Sequence, residues 1–84
     1  MRVNNETPST VDWEQQGNPP QGLTTQDPQQ GQLGANSSTG DFTPSGEPPY
    51  SVRFTSVDKP NTATSEKFDD ANATVALVWA VKVG

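Results

Sequence analysis

The chain has 84 residues, enough for one small domain, and a formal net charge of −5. It contains no cysteine and no histidine, which excludes disulfide bonds, thiolate metal sites and the commonest general base of enzymes. The five basic residues are scattered and no apolar run approaches the roughly 20 residues that span a bilayer, so we expect neither nucleic acid nor membrane as a partner.

The composition changes near residue 50. Residues 1–49 hold only 8 of the 24 apolar residues but 7 of the 8 prolines and 6 of the 7 glycines. This contrast predicts an extended, acidic Pro/Gly/Gln-rich arm with little regular structure at 1–49 and a small β unit at 50–84. The expected fold class is therefore mainly β with a long irregular N-terminal arm.

One segment of the arm could anchor it to a surface. Val11 and Trp13 lie two residues apart, so an extended backbone places both on one side. Trp13 is either a packing anchor or an incidental exposed aromatic, and we favour packing because tryptophan buries a large area. Residues 14–41 contain all seven glutamines and predict either a disordered linker or an extended arm ordered by a neighbouring surface. Phe42 is a second candidate anchor.

The clearest alternation of apolar and polar residues predicts a half-buried strand near 50–57. Tyr50, Val52 and Phe54 share one face of this strand, and polar side chains occupy the other face. A turn is expected at 58–61, where proline and asparagine follow two charged residues.

A second strand is predicted near 74–83. A helix is the competing interpretation, because short apolar runs are ambiguous, but the valine content favours a strand. Alternate positions give it one face of large apolar side chains: Val75, Leu77, Trp79, Val81 and Val83. We expect this face to be buried and the strand to organise the fold.

The acidic pair Asp69 and Asp70 suggests a cation site. Calcium loops place oxygen ligands at alternating positions around a turn glycine, and no glycine occurs between residues 47 and 83. A solvated acidic loop is the favoured interpretation, and no histidine is present to activate a nucleophile. The sequence therefore predicts a protein that is not an enzyme and uses no metal or cofactor.

The apolar content of residues 50–84 is small for a domain that folds alone. The small antiparallel β unit is therefore expected to be completed by copies of itself, a trimer for example, or by a partner, and open strand edges are natural sites for that pairing. The candidate interaction residues are Trp13, Phe42, Tyr50, Phe54, Val75, Leu77, Trp79, Val81 and Val83.

The plan of an extended arm and a compact β unit resembles that of small accessory proteins of virions, especially bacteriophage capsids and tails. In addition, residues 72–83 are similar to the last strand of phage tail-fibre chains, in which apolar residues follow an Asn-Val-Ala type start and precede a basic residue. The resemblance implies a non-enzymatic virion protein, a minor capsid, cement or fibre component assembled in the host cytoplasm. It would bind major capsid or tail subunits, or copies of itself, through its arm and C-terminal strand. The alternative is a nonviral acidic interaction module that pairs through an exposed edge strand.

Overall fold

The structure, a computed structural model, describes residues 1–57 and 69–79. This part of the chain contains no helix, so the predicted β class is confirmed. Its strands are β1 (Arg2–Asn5), β2 (Val11–Asn18), β3 (Gln29–Leu33), β4 (Ser37–Ser38), β5 (Glu47–Phe54) and β6 (Thr74–Leu77).

The strands form two three-stranded sheets, in the orders β4-β1-β6 and β3-β2-β5. In the larger sheet, β2 lies in the centre and pairs antiparallel with both β3 and β5. In the smaller sheet, β1 is central and pairs antiparallel with β4 but parallel with β6. The two strands expected to form one antiparallel unit, β5 and β6, therefore belong to different sheets.

Both sheets turn one face toward a single hydrophobic core. Alternation along each strand directs every second side chain inward, as the period-two geometry of a strand requires. The buried core residues are Met1, Val3, Val11, Trp13, Leu33, Tyr50, Val52, Phe54, Val57 and Leu77. Five of these ten residues precede residue 50, so the two parts of the chain contribute equally to the core.

The long irregular arm expected at 1–49 is not shown by the structure. This range contains β1 to β4 and the first residues of β5, and it supplies both central strands. The low number of apolar residues in this range is misleading, because several of those that it contains lie at inward-facing positions of the strands. Val11 and Trp13, for example, are 1% and 8% exposed, since both lie on the inward face of β2 as their spacing predicted.

The strand predicted near 50–57 is observed as β5, which begins at Glu47 and ends at Phe54. Tyr50, Val52 and Phe54 are buried on its inner face, and Arg53 is exposed on the other. The alternation of side chains identified the inward face of β5 correctly. The predicted turn at 58–61 lies outside the described residues.

The prediction of a strand near 74–83 is confirmed for residues 74–77 and wrong for residues 78 and 79, because β6 stops at Leu77. Its partner β1 ends at Asn5, which is paired with Leu77, and a strand cannot continue in the sheet beyond its partner. Val75 is half-buried and Leu77 is fully buried, but Trp79 lies beyond the strand and is 53% exposed. Val81 and Val83 lie outside the described residues.

A buried amide, Asn5, connects the two sheets. Its Nδ2 donates to the carbonyl oxygens of Ser9 (2.7 Å), Leu33 (3.2 Å) and Gly34 (2.9 Å). Its Oδ1 accepts from both the backbone N–H and the hydroxyl of Thr7. Because β1 carries Asn5 and β3 carries Leu33, one side chain fixes the turn after β1 and ties it to the other sheet.

A second buried amide, Gln15, binds the segment that leads into β5. Its Oε1 accepts from the backbone N–H of Ser45 at 2.7 Å, and its Nε2 donates to the Ser45 carbonyl at 3.2 Å. The backbones pass closely here. A Cβ on Gly17 would lie 2.5 Å from the Ser45 oxygen, and one on Gly46, which has a φ of +76°, would lie 2.7 Å from the Asn18 oxygen. Only glycine fits at both positions.

Candidate interaction site

Strand β3 forms one edge of the larger sheet. Its register with β2 runs from Leu33 opposite Val11 to Gln29 opposite Gln15. Residues 29–32 are exposed, whereas Leu33 is buried in the core. Alternate residues of an edge strand direct their N–H and C=O groups away from the sheet. Across residues 1–57 and 69–79, no strand pairs with this outer edge of β3.

Gly31 at the middle of β3 makes room for the core tryptophan. It lies opposite Trp13, and a Cβ at residue 31 would stand 3.3 Å from the indole Nε1. The indole therefore occupies the space that a side chain at this position would need. The consequence is an edge strand whose centre carries no side chain on its inner face.

The outer face of β3 presents the amides of Gln30 and Gln32. Gln32 lies opposite Asp12 and donates from Nε2 to its carboxylate at 3.3 Å. Gln30 lies opposite Glu14, whose carboxylate forms an ion pair with Arg53 at 2.8 Å. The charges of this face therefore lie on β2 and β5, and β3 itself is uncharged.

A depression of about 310 Å³ opens beside the edge. Its lining is formed by Asp12, Trp13, Glu14, Gln30, Gly31 and Thr55. The lining combines two carboxylates with an amide and one aromatic ring. Because β2 supplies three of these residues and β3 two, the depression follows the junction of the edge strand with the sheet.

The other described edges are shorter or protected. β5 contains Pro48 and Pro49, which have no N–H to donate, and it carries the charged Arg53. β4 has two residues and β6 has four. Proline, charge and short length are the features by which proteins prevent unwanted pairing of edges. β3 has five residues without proline or charge, so it is the least protected of these edges.

Most of the interaction residues expected from the sequence are packed inside the chain. Trp13, Tyr50, Phe54 and Leu77 are buried core residues. Phe42 and Val75 are partly buried against the core, and the Phe42 ring packs on Trp13 with centroids 5.6 Å apart. All six side chains pack against the core, and of the six only Phe42 and Val75 keep part of their surface accessible.

Trp79 is the one expected interaction residue that is exposed among those described. With Val78, it borders a small apolar pocket of about 210 Å³. The remaining lining comes from Thr7, Pro8, Ser9, Val11 and Val57. The pocket thus lies between the turn after β1 and the residues that follow β5 and β6.

The sequence reasoning missed β3 because its residues, Gln-Gln-Gly-Gln-Leu, have neither strand propensity nor a clear apolar alternation. The available signal was the spacing of Gly31 and Leu33, which matches that of Trp13 and Val11 in the reverse direction. That correspondence becomes visible only once the two segments are paired.

Metal-ligating side chains do not form any group of three or more in the part of the chain that the structure describes. None of the described residues belongs to a helix with the length and hydropathy needed to cross a membrane. No known protein family, curated protein or solved structure matches this chain.

Proposed function

We propose that this chain is a non-enzymatic structural protein that joins neighbouring protein subunits through the open edge strand β3. The observation that supports this proposal is an exposed strand edge of five residues that carries neither charge nor proline. When a strand is added to such an edge, backbone hydrogen bonds supply affinity and the alternating side chains supply specificity.

A short edge suits a repetitive assembly. Each backbone hydrogen bond contributes only about 0.5–1.5 kcal/mol net, so one five-residue strand gives weak binding. Many copies attached to one particle gain affinity from multivalency, because each further contact becomes intramolecular. The proposed setting is therefore a virion, in which the chain is a minor capsid, cement or fibre component beside capsid or tail subunits or further copies of itself.

The alternative setting uses the same edge. A nonviral interaction module would pair β3 with an extended segment of a soluble partner, and the acidic charge of −5 would favour a basic one. Purified particles distinguish the two settings, because a virion component remains with capsid or tail proteins through sedimentation and a soluble module does not.

The edge itself is tested with lysine substitutions. Gln30→Lys combined with Gln32→Lys places two charges on β3, whereas Gln16→Lys places the same side chain on the same face of the central strand β2. We expect the edge variant to bind particles or partner at least about tenfold more weakly, a loss of about 1.4 kcal/mol. The Gln16→Lys control should bind normally.

Quantitative gels of purified particles, or co-sedimentation with the soluble partner, measure this binding. Circular dichroism of each variant establishes that the sheets are retained. If the edge variant and the control bound equally well, β3 would not be part of the interface and the proposal would be overturned.

A further inference from the structure

The same edge has features of a surface that pairs with its own copy. We infer that β3 pairs antiparallel with β3 of a second copy of this chain, about a two-fold axis at Gly31. This inference rests on the proposed function and names the neighbouring subunit at that edge. Pairing in this way joins the two larger sheets into one continuous sheet of six strands, three from each copy.

The side chains of β3 are complementary to themselves in this register. A two-fold axis at Gly31 places Gln30 opposite Gln32 of the second copy, and the reverse. Each glutamine amide has two donors and one carbonyl acceptor, so the facing amides can bond to one another. At the axis, Gly31 has no side chain, and the indole of Trp13 already fills the space beneath it in each copy.

Charge opposes the association only weakly at the edge itself. Each copy has a net charge of −5, but β3 is uncharged and the nearest carboxylates, Asp12 and Glu14, lie on β2. In the joined sheet, the two copies of β2 are three strand spacings apart, roughly 14 Å. That separation exceeds the Debye length of about 8 Å at physiological salt. Asp12 also accepts from Gln32, and Glu14 is paired with Arg53.

The opposite edge of the larger sheet is less suited to further growth. β5 begins with Glu47, Pro48 and Pro49, and neither proline has an N–H for a new strand. Pairing at β3 uses the same surface on both partners, so it closes on itself as a two-fold contact. The expected product is therefore a dimer, and a fibre is not expected.

Introduced thiols test the register directly, because the chain has no cysteine of its own. In the paired strands, position 30 faces position 32 of the other copy, whereas equivalent positions lie on the diagonal, about 7–8 Å apart. Disulfides require Cα atoms within about 7 Å. An oxidised mixture of Gln30→Cys and Gln32→Cys chains should therefore form linked dimers, and each variant alone should not.

Two further measurements complete the experiment. Because one five-residue strand pair binds weakly, the average mass of the unmodified chain in sedimentation equilibrium should rise with concentration from 9.0 kDa towards twice that value. The combined Gln30→Lys and Gln32→Lys chain should remain a monomer at the same concentrations. Gln16→Cys, on the central strand β2, should link to neither thiol variant. Equal linking by one thiol variant alone and by the mixture would overturn the two-fold register.

The outcomes separate this inference from the proposed function. If the unmodified chain is a monomer and the thiol variants do not cross-link, self-pairing is overturned. If the lysine variant then still binds particles more weakly than the unmodified chain, β3 contacts a different protein and the proposed function stands. Linked dimers of doubled mass support self-pairing. If the lysine variant is then incorporated into particles as well as the unmodified chain is, the dimer is supported and attachment to particles through β3 is overturned.

Discussion

Two regions of this molecule reverse the usual relation between polarity and burial. In the N-terminal region, the amides of Asn5 and Gln15 are fully buried. At the end of the described C-terminal region, Val78 and Trp79 are 48% and 53% exposed. The contrast shows that available contacts, rather than hydropathy, decide which side chains are buried in a chain with only 29% apolar residues.

The buried amides are tolerated because both ends of each one are hydrogen-bonded. A polar group without a partner is costly to bury, whereas a paired one is not. Asn5 reaches the turn after β1 and the end of β3, and Gln15 reaches the segment before β5. In a segment with few apolar residues, these side chains give the loops a fixed position that packing alone could not supply.

The two tryptophans give the strongest test of this comparison. Trp13 is 8% exposed and packs on Phe42, so Trp13→Ala should destabilise by about 3–5 kcal/mol, much of the stability of a small domain. Trp79 is 53% exposed, so Trp79→Ala should cost less than about 2 kcal/mol. Urea unfolding followed by circular dichroism measures both. If both variants lost the same free energy of unfolding, Trp79 would contribute as much to the fold as Trp13, as the sequence predicted for the last strand.

The predictable part of the fold is the part whose side chains alternate in the sequence itself. Tyr50, Val52 and Phe54 identify the inner face of β5 without any knowledge of its neighbours. Leu77 is buried as expected, but the end of β6 depends on the length of β1. No local pattern in residues 78–83 encodes that limit.

The candidate site was beyond sequence reasoning for a related reason. β1 and β3 place Asn5 and Gly31 on their inner faces, where an alternation analysis expects large apolar residues. Each residue suits its position because of a partner that is distant in the sequence. Asn5 donates to the carbonyl of Leu33, and Gly31 leaves room for the ring of Trp13. Composition therefore predicted an irregular arm where the structure has two central strands.

The neighbouring pair Asn4 and Asn5 gives the next largest expected effect. Asn5→Ala leaves the carbonyls of Ser9 and Gly34 and the N–H of Thr7 without their side-chain partner. We expect a loss of more than about 2 kcal/mol, which lowers the Tm of a small domain by at least roughly 8 °C. Thermal unfolding measured by circular dichroism gives this value directly.

Asn4→Ala is the matched control. Asn4 Oδ1 is buried and has no hydrogen-bond partner within the described residues, so its removal should relieve a desolvation penalty and raise stability by about 1 kcal/mol. A loss from Asn4→Ala as large as that from Asn5→Ala would mean that strand propensity, rather than the Asn5 hydrogen bonds, accounts for the effect.

The smallest expected effect separates hydropathy from hydrogen bonding at one position. Gln15→Leu keeps the approximate volume and increases the apolar character of a side chain that is fully buried. If hydropathy decided burial here, the substitution would stabilise the protein. Because Ser45 would lose both hydrogen bonds to the amide, we instead expect a loss of about 1–2 kcal/mol. Gln16→Ala, at the adjacent exposed position, should stay within about 0.5 kcal/mol.

Urea midpoints at equal m-values give these differences, and hydrogen exchange at Ser45 assigns their cause. The Ser45 N–H donates to Gln15 Oε1 at 2.7 Å, so its exchange should accelerate in Gln15→Leu and remain slow in Gln16→Ala. A more stable Gln15→Leu protein with a protected Ser45 amide would show that water or another acceptor replaces the glutamine. In that case, the buried amides would be a consequence of the fold, and the apolar residues around them would be its cause.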